Sequence, residues 1–489
     1  MLRGDCWYRF PWLLLAAALA LAGLGIAGIY AATCGGTDAV PFWETVAAKQ
    51  LAWLAVSLVV FVLALIPSYT RLAQWSYFLY GVSVLALAVL AVMRYLHLEI
   101  PGFIYPINHA YSWIRIPGTG VNLQPSELMK IALIMSLAYY LRYRKNYRTF
   151  KGLLAPFLMA LAPTALVLYQ PDLGTAMMLL PVLFLMLFAA GARGKHLLAI
   201  MLMGLAMVPV FYSSMRGYQR MRIDSWLLHG CAERLHFALA QPPDEDAEAA
   251  KDKDEAARPI APRRAHLSDE RKAELVRQIT GMWRFRIWQA ATTISWGKDK
   301  PEFAEARQRL FEALDAGPGP ASFDALRFFF GSLLDDPGHQ EFQAKIAVGS
   351  GGFAGRGWLQ GTQTRYGLLP EAHTDFLFPT LAEQFGFVGA AGVVILYAFL
   401  CVLGIDVSFS TNEPYGRLLV VGVVALLAAQ SFLNIAMSIG MMPITGIPLP
   451  LMSYGGSSLA SSFLALGLLC NVAVRRLYLI APRPFEWRE

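Results

Sequence analysis

The chain has 489 residues, 56% of them hydrophobic and only 15% charged, with a mean hydropathy of +0.46. A soluble core needs far less apolar surface, so a water-soluble globular protein is excluded and membrane-spanning segments are expected. The net charge of +7 is spread over loops in a way that marks topology rather than nucleic-acid binding.

Runs of about 20 apolar residues, the length that crosses a bilayer, place ten spans near 12–32, 51–66, 75–93, 126–141, 152–169, 174–191, 196–212, 387–405, 417–437 and 454–474. The expected fold is therefore an all-α polytopic membrane protein with about ten transmembrane helices. It divides into spans one to seven (1–212), a large extracytoplasmic loop (213–386), and spans eight to ten with a tail (387–489). The first apolar run is too long for a signal-peptide core and further spans follow it, so it is read as a retained helix. The second is short and is expected to begin before Leu51.

Cytoplasmic loops carry the excess of Lys and Arg. With the N-terminus inside, the inner segments hold Arg3, Arg9, Arg71, Arg142, Arg144, Lys145, Arg148, Lys151, Arg193, Lys195, Arg417, Arg475, Arg476, Arg483 and Arg488, while the short outer loops hold only Lys49, Arg94 and Arg115. Both termini are thus expected in the cytoplasm. The basic cluster at 142–151 reads as a topological anchor in contact with anionic headgroups. The five cysteines show no ligand spacing, which argues against a metal site; Cys34 and Cys231 share the outer side, and their pairing is left open.

Residues 228–334 carry 33 of the 75 charged residues, so this block is an insert outside the bilayer. The run at 244–258 reads as a solvated helix or a disordered linker, and 269–293 and 302–315 have helical patterning. The insert reads as a decoration.

The segment PEAHTDFLFPTLAEQFGFVG at 370–389 sets a carboxylate, Asp375, against an apolar run. A charge at a helix centre costs roughly 2.5–3.5 kcal/mol on insertion scales, so such a residue is a functional candidate; the alternative is an N-cap for the following helix. In QPSELMK at 124–130, Pro125 opens a helix and i, i+3 spacing puts Glu127 and Lys130 on one face, either as a simple ion pair or lining a cavity. Asp172 in QPDLGT either caps span six or faces substrate. GSGGFAGRG at 349–357 lacks GK[ST] and follows no strand, so nucleotide binding is disfavoured and its glycines read as tight turns or a close approach to ligand.

These motifs, with YQRMRI at 218–223, QAKIAVGSGGFAGRGWLQGTQ at 343–363 and GIPLPLMSYGGSS at 446–458, occur in an order that resembles the SEDS family (shape, elongation, division and sporulation), and more its RodA elongation branch than its FtsW division branch. The resemblance covers nearly the whole chain outside 228–334. It implies peptidoglycan glycosyltransferase activity on lipid II outside the membrane, with a class B penicillin-binding protein, a transpeptidase, and other elongation-complex membrane proteins as partners. By that resemblance Asp375 is the catalytic base and Glu127 and Lys130 line the substrate cavity. The further substrate-binding candidates are Asp172, the pair Arg222 and Lys345 (which either meet phosphates or form a solvated face), Glu371 and His373, which flank the base, and Ser453. No cofactor is implied, since the donor carries its own pyrophosphate leaving group; a divalent cation at that group has no ligands that can be placed. The chain departs from the family pattern at Ser112-Trp113, in two extra residues before Gln124, and in the insert, which splits the loop before Asp336-Pro337. A lipid II transporter and a scaffold that activates the transpeptidase are the rival readings.

Overall fold

The computed structural model describes residues 10–34, 41–97, 103, 112–116, 121–144, 146–170, 172–215, 220, 222–228, 230–231, 235, 269–282, 285–286, 288–289, 301–333 and 339–475. Arg3, Cys6, Arg9, Lys145, Pro171, the run 244–258, Asp336-Pro337, Arg476, Arg483 and Arg488 lie outside them, as does part of YQRMRI. The chain forms two compact units, one comprising residues 1–202, 344–439 and 445–489, the other 203–343 and 440–444.

In the larger unit the helices are α1 (Trp12–Cys34), α2 (Val46–Leu65), α3 (Tyr69–Tyr95), α4 (Pro125–Leu141), α5 (Leu154–Tyr169) and α6 (Leu173–Ala190). After α7 (Gly194–Ala206) and α8 (Val208–Ser214) come α9 (Asp269–Gly281), α10 (Pro301–Asp315), α11 (Pro320–Leu333) and α12 (His339–Ser350). The short α13 (Thr362–Arg365) is followed by α14 (Leu377–Phe409), α15 (Pro414–Ser438) and α16 (Gly456–Arg475). Among the described residues eight helices are long and apolar enough to cross a membrane. The other two expected spans are α4, with 17 residues, and the seventh, which breaks at Met207 into α7 and α8. Strands β1 (Ile114–Ile116) and β2 (Val121–Leu123) form an antiparallel hairpin, Ile114 opposite Leu123, which leads through Gln124 into α4.

Burial sorts the helices. α16 is almost wholly enclosed and α15 mostly so, with α15 packed against α4, α6 and α14, and α16 against α2. Val59, Val62, Phe78, Leu85, Ile395 and Val402 on α2, α3 and α14 stay exposed, an apolar surface suited to lipid rather than water.

Two features depart from a simple bundle. α14 begins ten residues before its expected start and is broken at Gly386 (φ 65°, ψ −160°). The glycine loop 351–357 repairs the break. Arg356 and Gly357 N–H donate to Glu383 and Gln384 carbonyls, and Phe387 and Val388 N–H donate to Gly352 and Phe353 carbonyls, at 2.9–3.2 Å. A Cβ at Gly355 would lie 2.0 Å from the Gln384 carbonyl oxygen. These glycines therefore serve a close approach to a helix, where the sequence pointed equally to a ligand. Beside the break, the buried Glu383 carboxylate accepts from the Gln363 and Thr364 N–H groups and from the Thr362 and Thr364 hydroxyls, capping the start of α13.

The second feature is the non-helical segment 445–455. Lone backbone groups cost several kcal/mol in hydrocarbon, and here buried side chains satisfy them. Gln430 Nε2 donates to Pro448 O (2.9 Å), Asn434 Nδ2 to Ile447 O (2.6 Å), and Gln50 Nε2 to Ser453 O (3.0 Å), while Tyr397 O–H donates to Pro450 O. At the other end of the bundle, Asn471 fastens the α2–α3 turn. Its Nδ2 donates to Ala64 O and Pro67 O (both 2.6 Å), and its Oδ1 accepts from Tyr69 N–H (3.1 Å) and Arg475 (2.5 Å).

The smaller unit spans the insert 228–334. It has its own core, in which Trp288 packs against Phe285, Phe311 and Phe329 with ring centroids 5.1–5.6 Å apart. α9 and α10 carry surface ion pairs at helical spacing, Arg277–Glu274 and Arg309–Glu305. This block is a folded helical module in its described parts. Cys231 is buried in that core, its thiol 3.6 Å from the Met282 sulfur.

Candidate active site

The QPSE and QPDLGT motifs meet in one place. Pro125 at the first turn fits α4, whose unpaired first N–H groups suit a residue that has none. One turn in, the buried Lys130 ammonium donates to Glu127 Oε1 at 2.8 Å, and Ser461 on α16 donates to Glu127 Oε2 at 2.6 Å. Asp172 caps α6, accepting from Thr175 N–H (2.9 Å) and Thr175 O–H (2.8 Å), and also takes Gln124 Nε2 at 3.1 Å. Burial raises the Asp172 carboxyl above its ordinary range; the Thr175 hydrogen bonds and the nearby Lys130 charge oppose that rise, and Glu127 adds to it. Capping and proximity to the ion pair thus hold together for Asp172.

Asp375 sits in the turn just before α14, half-buried. The N-cap position of α14 is Phe376, without a side-chain cap bond. The turn is tightly wound. Glu371, in the left-handed region (φ 51°), accepts from the N–H groups of Thr374, Asp375 and Phe376, each at 3.2 Å. Two bonds tie the turn to its surroundings: Tyr454 N–H donates to His373 O at 3.0 Å, and Asn434 Nδ2 donates to Asp375 O at 2.9 Å. The His373 and Tyr454 rings are 5.7 Å apart.

One contact chain links the two constellations. Asn434 holds both Asp375 O and Ile447 O, and a Cβ on Gly174 would fall 2.7 Å from both the Ile447 side chain and Thr445 O. Gly174 lies two residues from Asp172. The 445–455 segment therefore touches both the Asp375 turn and the helix that Asp172 caps.

Of the remaining sequence candidates, Glu371 is exposed and binds the Thr374 hydroxyl at 2.9 Å, and Lys345 is half-buried on α12. Ser453 is buried, with its Oγ accepting Leu449 N–H at 2.8 Å, so it holds its own turn. Arg222 belongs to the smaller unit, where it reaches Ile444 O at 3.3 Å. Sequence reading missed Asn434, Gln124, Ser461, Gln50 and Glu383. A buried amide or carboxylate inside an apolar run was the available signal.

A family model described as cell cycle protein, FTSW_RODA_SPOVE, matches residues 11–230 and 327–478. Over 477 residues the chain is 30% identical to the peptidoglycan glycosyltransferase RodA of Treponema pallidum (strain Nichols), covering 96% of this chain and 98% of that one. It is 26% identical to the peptidoglycan glycosyltransferase MrdB of Helicobacter pylori over 88% of this chain and 83% of that one. Among solved structures, the rod shape determining protein RodA of Thermus thermophilus has this fold, with a TM-score of 0.54 at 22% identity over 96% of this chain and 98% of that one. A chain from a peptidoglycan synthase complex that coordinates polymerization and crosslinking gives a TM-score of 0.61 at 23% identity, over 95% and 97% of the two chains.

Proposed function

The chain belongs to the FTSW_RODA_SPOVE family of cell cycle proteins, and on that premise we propose that it is a peptidoglycan glycosyltransferase of the elongation type, an integral protein of the bacterial membrane. The observation that carries the reading is the half-buried Asp375, held in a wound turn and joined through the 445–455 segment to the helix capped by Asp172, beside the buried Lys130–Glu127 pair. The substrate is lipid II and the reaction an inverting displacement. The Asp375 carboxylate takes the proton of the acceptor 4-hydroxyl, the oxygen bonds to the donor anomeric carbon, and the bond to the polyprenyl pyrophosphate breaks with its electron pair leaving on phosphate. Lys130 supplies positive charge toward that leaving group, with Lys345 as a further cationic candidate and Glu371 and His373 flanking the base. No cofactor takes part.

The Lys/Arg distribution supports cytoplasmic termini and a site on the outer face. A class B penicillin-binding protein fits as partner, in line with the synthase complex that contains the similar chain. In the larger unit the buried charged residues among the described ones, Glu127, Lys130 and Glu383, all lie at the Asp375 end. That distribution favours chemistry at one face over a transport path through the bilayer.

The test is glycan polymerisation from labelled lipid II by the purified complex with its transpeptidase, wild type beside Asp375→Asn. Polymer from wild type alone supports the assignment. Polymer from both proteins moves the base elsewhere, with Glu127 next. No polymer from a folded wild-type complex returns the transporter and scaffold readings.

A further inference from the structure

We propose that Asn434 is a positioning residue for the reaction, acting through the backbone of Asp375; the inference rests on the glycosyltransferase reading above. Asn434 lies on α15 with no exposed surface. Its Nδ2 donates to Asp375 O at 2.9 Å and to Ile447 O at 2.6 Å. Both amide hydrogens point to carbonyls, which fixes the orientation of the side chain, and its Oδ1 has no hydrogen-bond partner among the described residues. A fully buried amide that leaves its oxygen unpaired carries a cost that its two donated bonds must offset. An apolar residue here would remove the unpaired oxygen but would leave the Asp375 and Ile447 carbonyls without this donor.

The two bonds have a geometric consequence. Asp375 N–H is held by Glu371 O, and Asp375 O is held by Asn434. With both backbone groups pinned, the Asp375 Cα is fixed while its carboxylate stays half-exposed. The same amide pins Ile447, against which Gly174 packs two residues from Asp172. Asn434 thus sets the spacing between the base and the Lys130–Glu127–Asp172 cluster, and a displacement of about 1 Å at a reacting group can cost roughly a hundredfold in rate. His373 O, bound by Tyr454 N–H, holds the turn from its other side.

The experiment uses the full chain in complex with its transpeptidase, as wild type, Asn434→Ala, Asn434→Leu (which keeps the bulk and removes the donors) and Asn471→Ala as a control at the other end of the bundle. Turnover and KM are measured on labelled lipid II, and hydrogen exchange is followed by mass spectrometry on the peptide spanning 371–376. Both Asn434 variants are expected to lose ten- to a hundredfold in kcat with KM changed less than about twofold, and to exchange at 371–376 at least tenfold faster. Asn471→Ala leaves both readouts of its folded fraction unchanged. Wild-type kcat in Asn434→Leu, or a loss in step with the folded fraction, overturns the proposal. Polymer from wild type shows the parent reading sound while the clamp fails; its absence from wild type overturns both.

Discussion

Asn434 and Asn471 are the same device at opposite ends of one bundle. Each is a fully buried asparagine whose Nδ2 donates to two backbone carbonyls. Asn471 is satisfied throughout, its oxygen accepting from Tyr69 N–H and Arg475, and Arg475 itself reaches Leu65 O and Ile66 O. Asn434 leaves its oxygen without a partner among the described residues. A lock that serves stability can be completed. One that must hold a reactive turn in a set place carries an imperfection, which is where functional sites are expected to break local rules.

That contrast can be broken at either end. The largest effect is expected from Asp375→Asn, which should cut polymerisation by about a hundred- to ten-thousandfold, the span typical of losing a general base, with the melting temperature unmoved; a melting shift as large as the loss would make Asp375 structural. Lys130→Met leaves Glu127 as an uncompensated buried charge and should cost about 3–5 kcal/mol of stability, read by thermal melting in detergent, and the added change Glu127→Gln should restore most of it. Asn471→Ala orphans a backbone N–H and the carbonyls it binds, each worth about 1–3 kcal/mol when buried, and should lower melting with normal turnover per folded molecule. The smallest effect belongs to Asp172→Asn. Because the folded-state carboxyl is raised, chiefly by burial, the folded protein holds this proton more tightly than the unfolded chain, so its stabilising contribution is lost as pH rises above the ordinary carboxylate range. The asparagine variant should show a flatter pH dependence of melting there, with its Thr175 cap intact.

Most spans were legible because a run of about 20 apolar residues has few stable places outside a bilayer. Orientation rested on Lys and Arg alone. The exceptions share a cause. Glu383 and Gln384 masked the first ten residues of α14, since a window that penalises charge cannot see a carboxylate whose partners are N–H groups 20 residues upstream. The hairpin before Gln124 rests on strands of three residues, too short for periodicity to reveal. Within the site, Glu127, Lys130 and Asp172 were found because charges stand out in apolar sequence. Asn434 and Gln50 lie in no motif, and what gives them meaning is a carbonyl 59 or 403 residues away. The aromatic core around Trp288 was hidden by the charges of the insert, which lie on its outer faces.

The break at Gly386 also bears on how the chain is built. A helix with open carbonyls at residues 383 and 384 cannot rest in lipid by itself. The groups that close it, the N–H groups of Arg356 and Gly357, lie earlier in the chain and are synthesised first. When the first turns of α14 emerge, the strap that completes them is already present, so the kinked span can be inserted without exposing unpaired backbone to the bilayer. The order of residues along the chain thus doubles as an order of assembly.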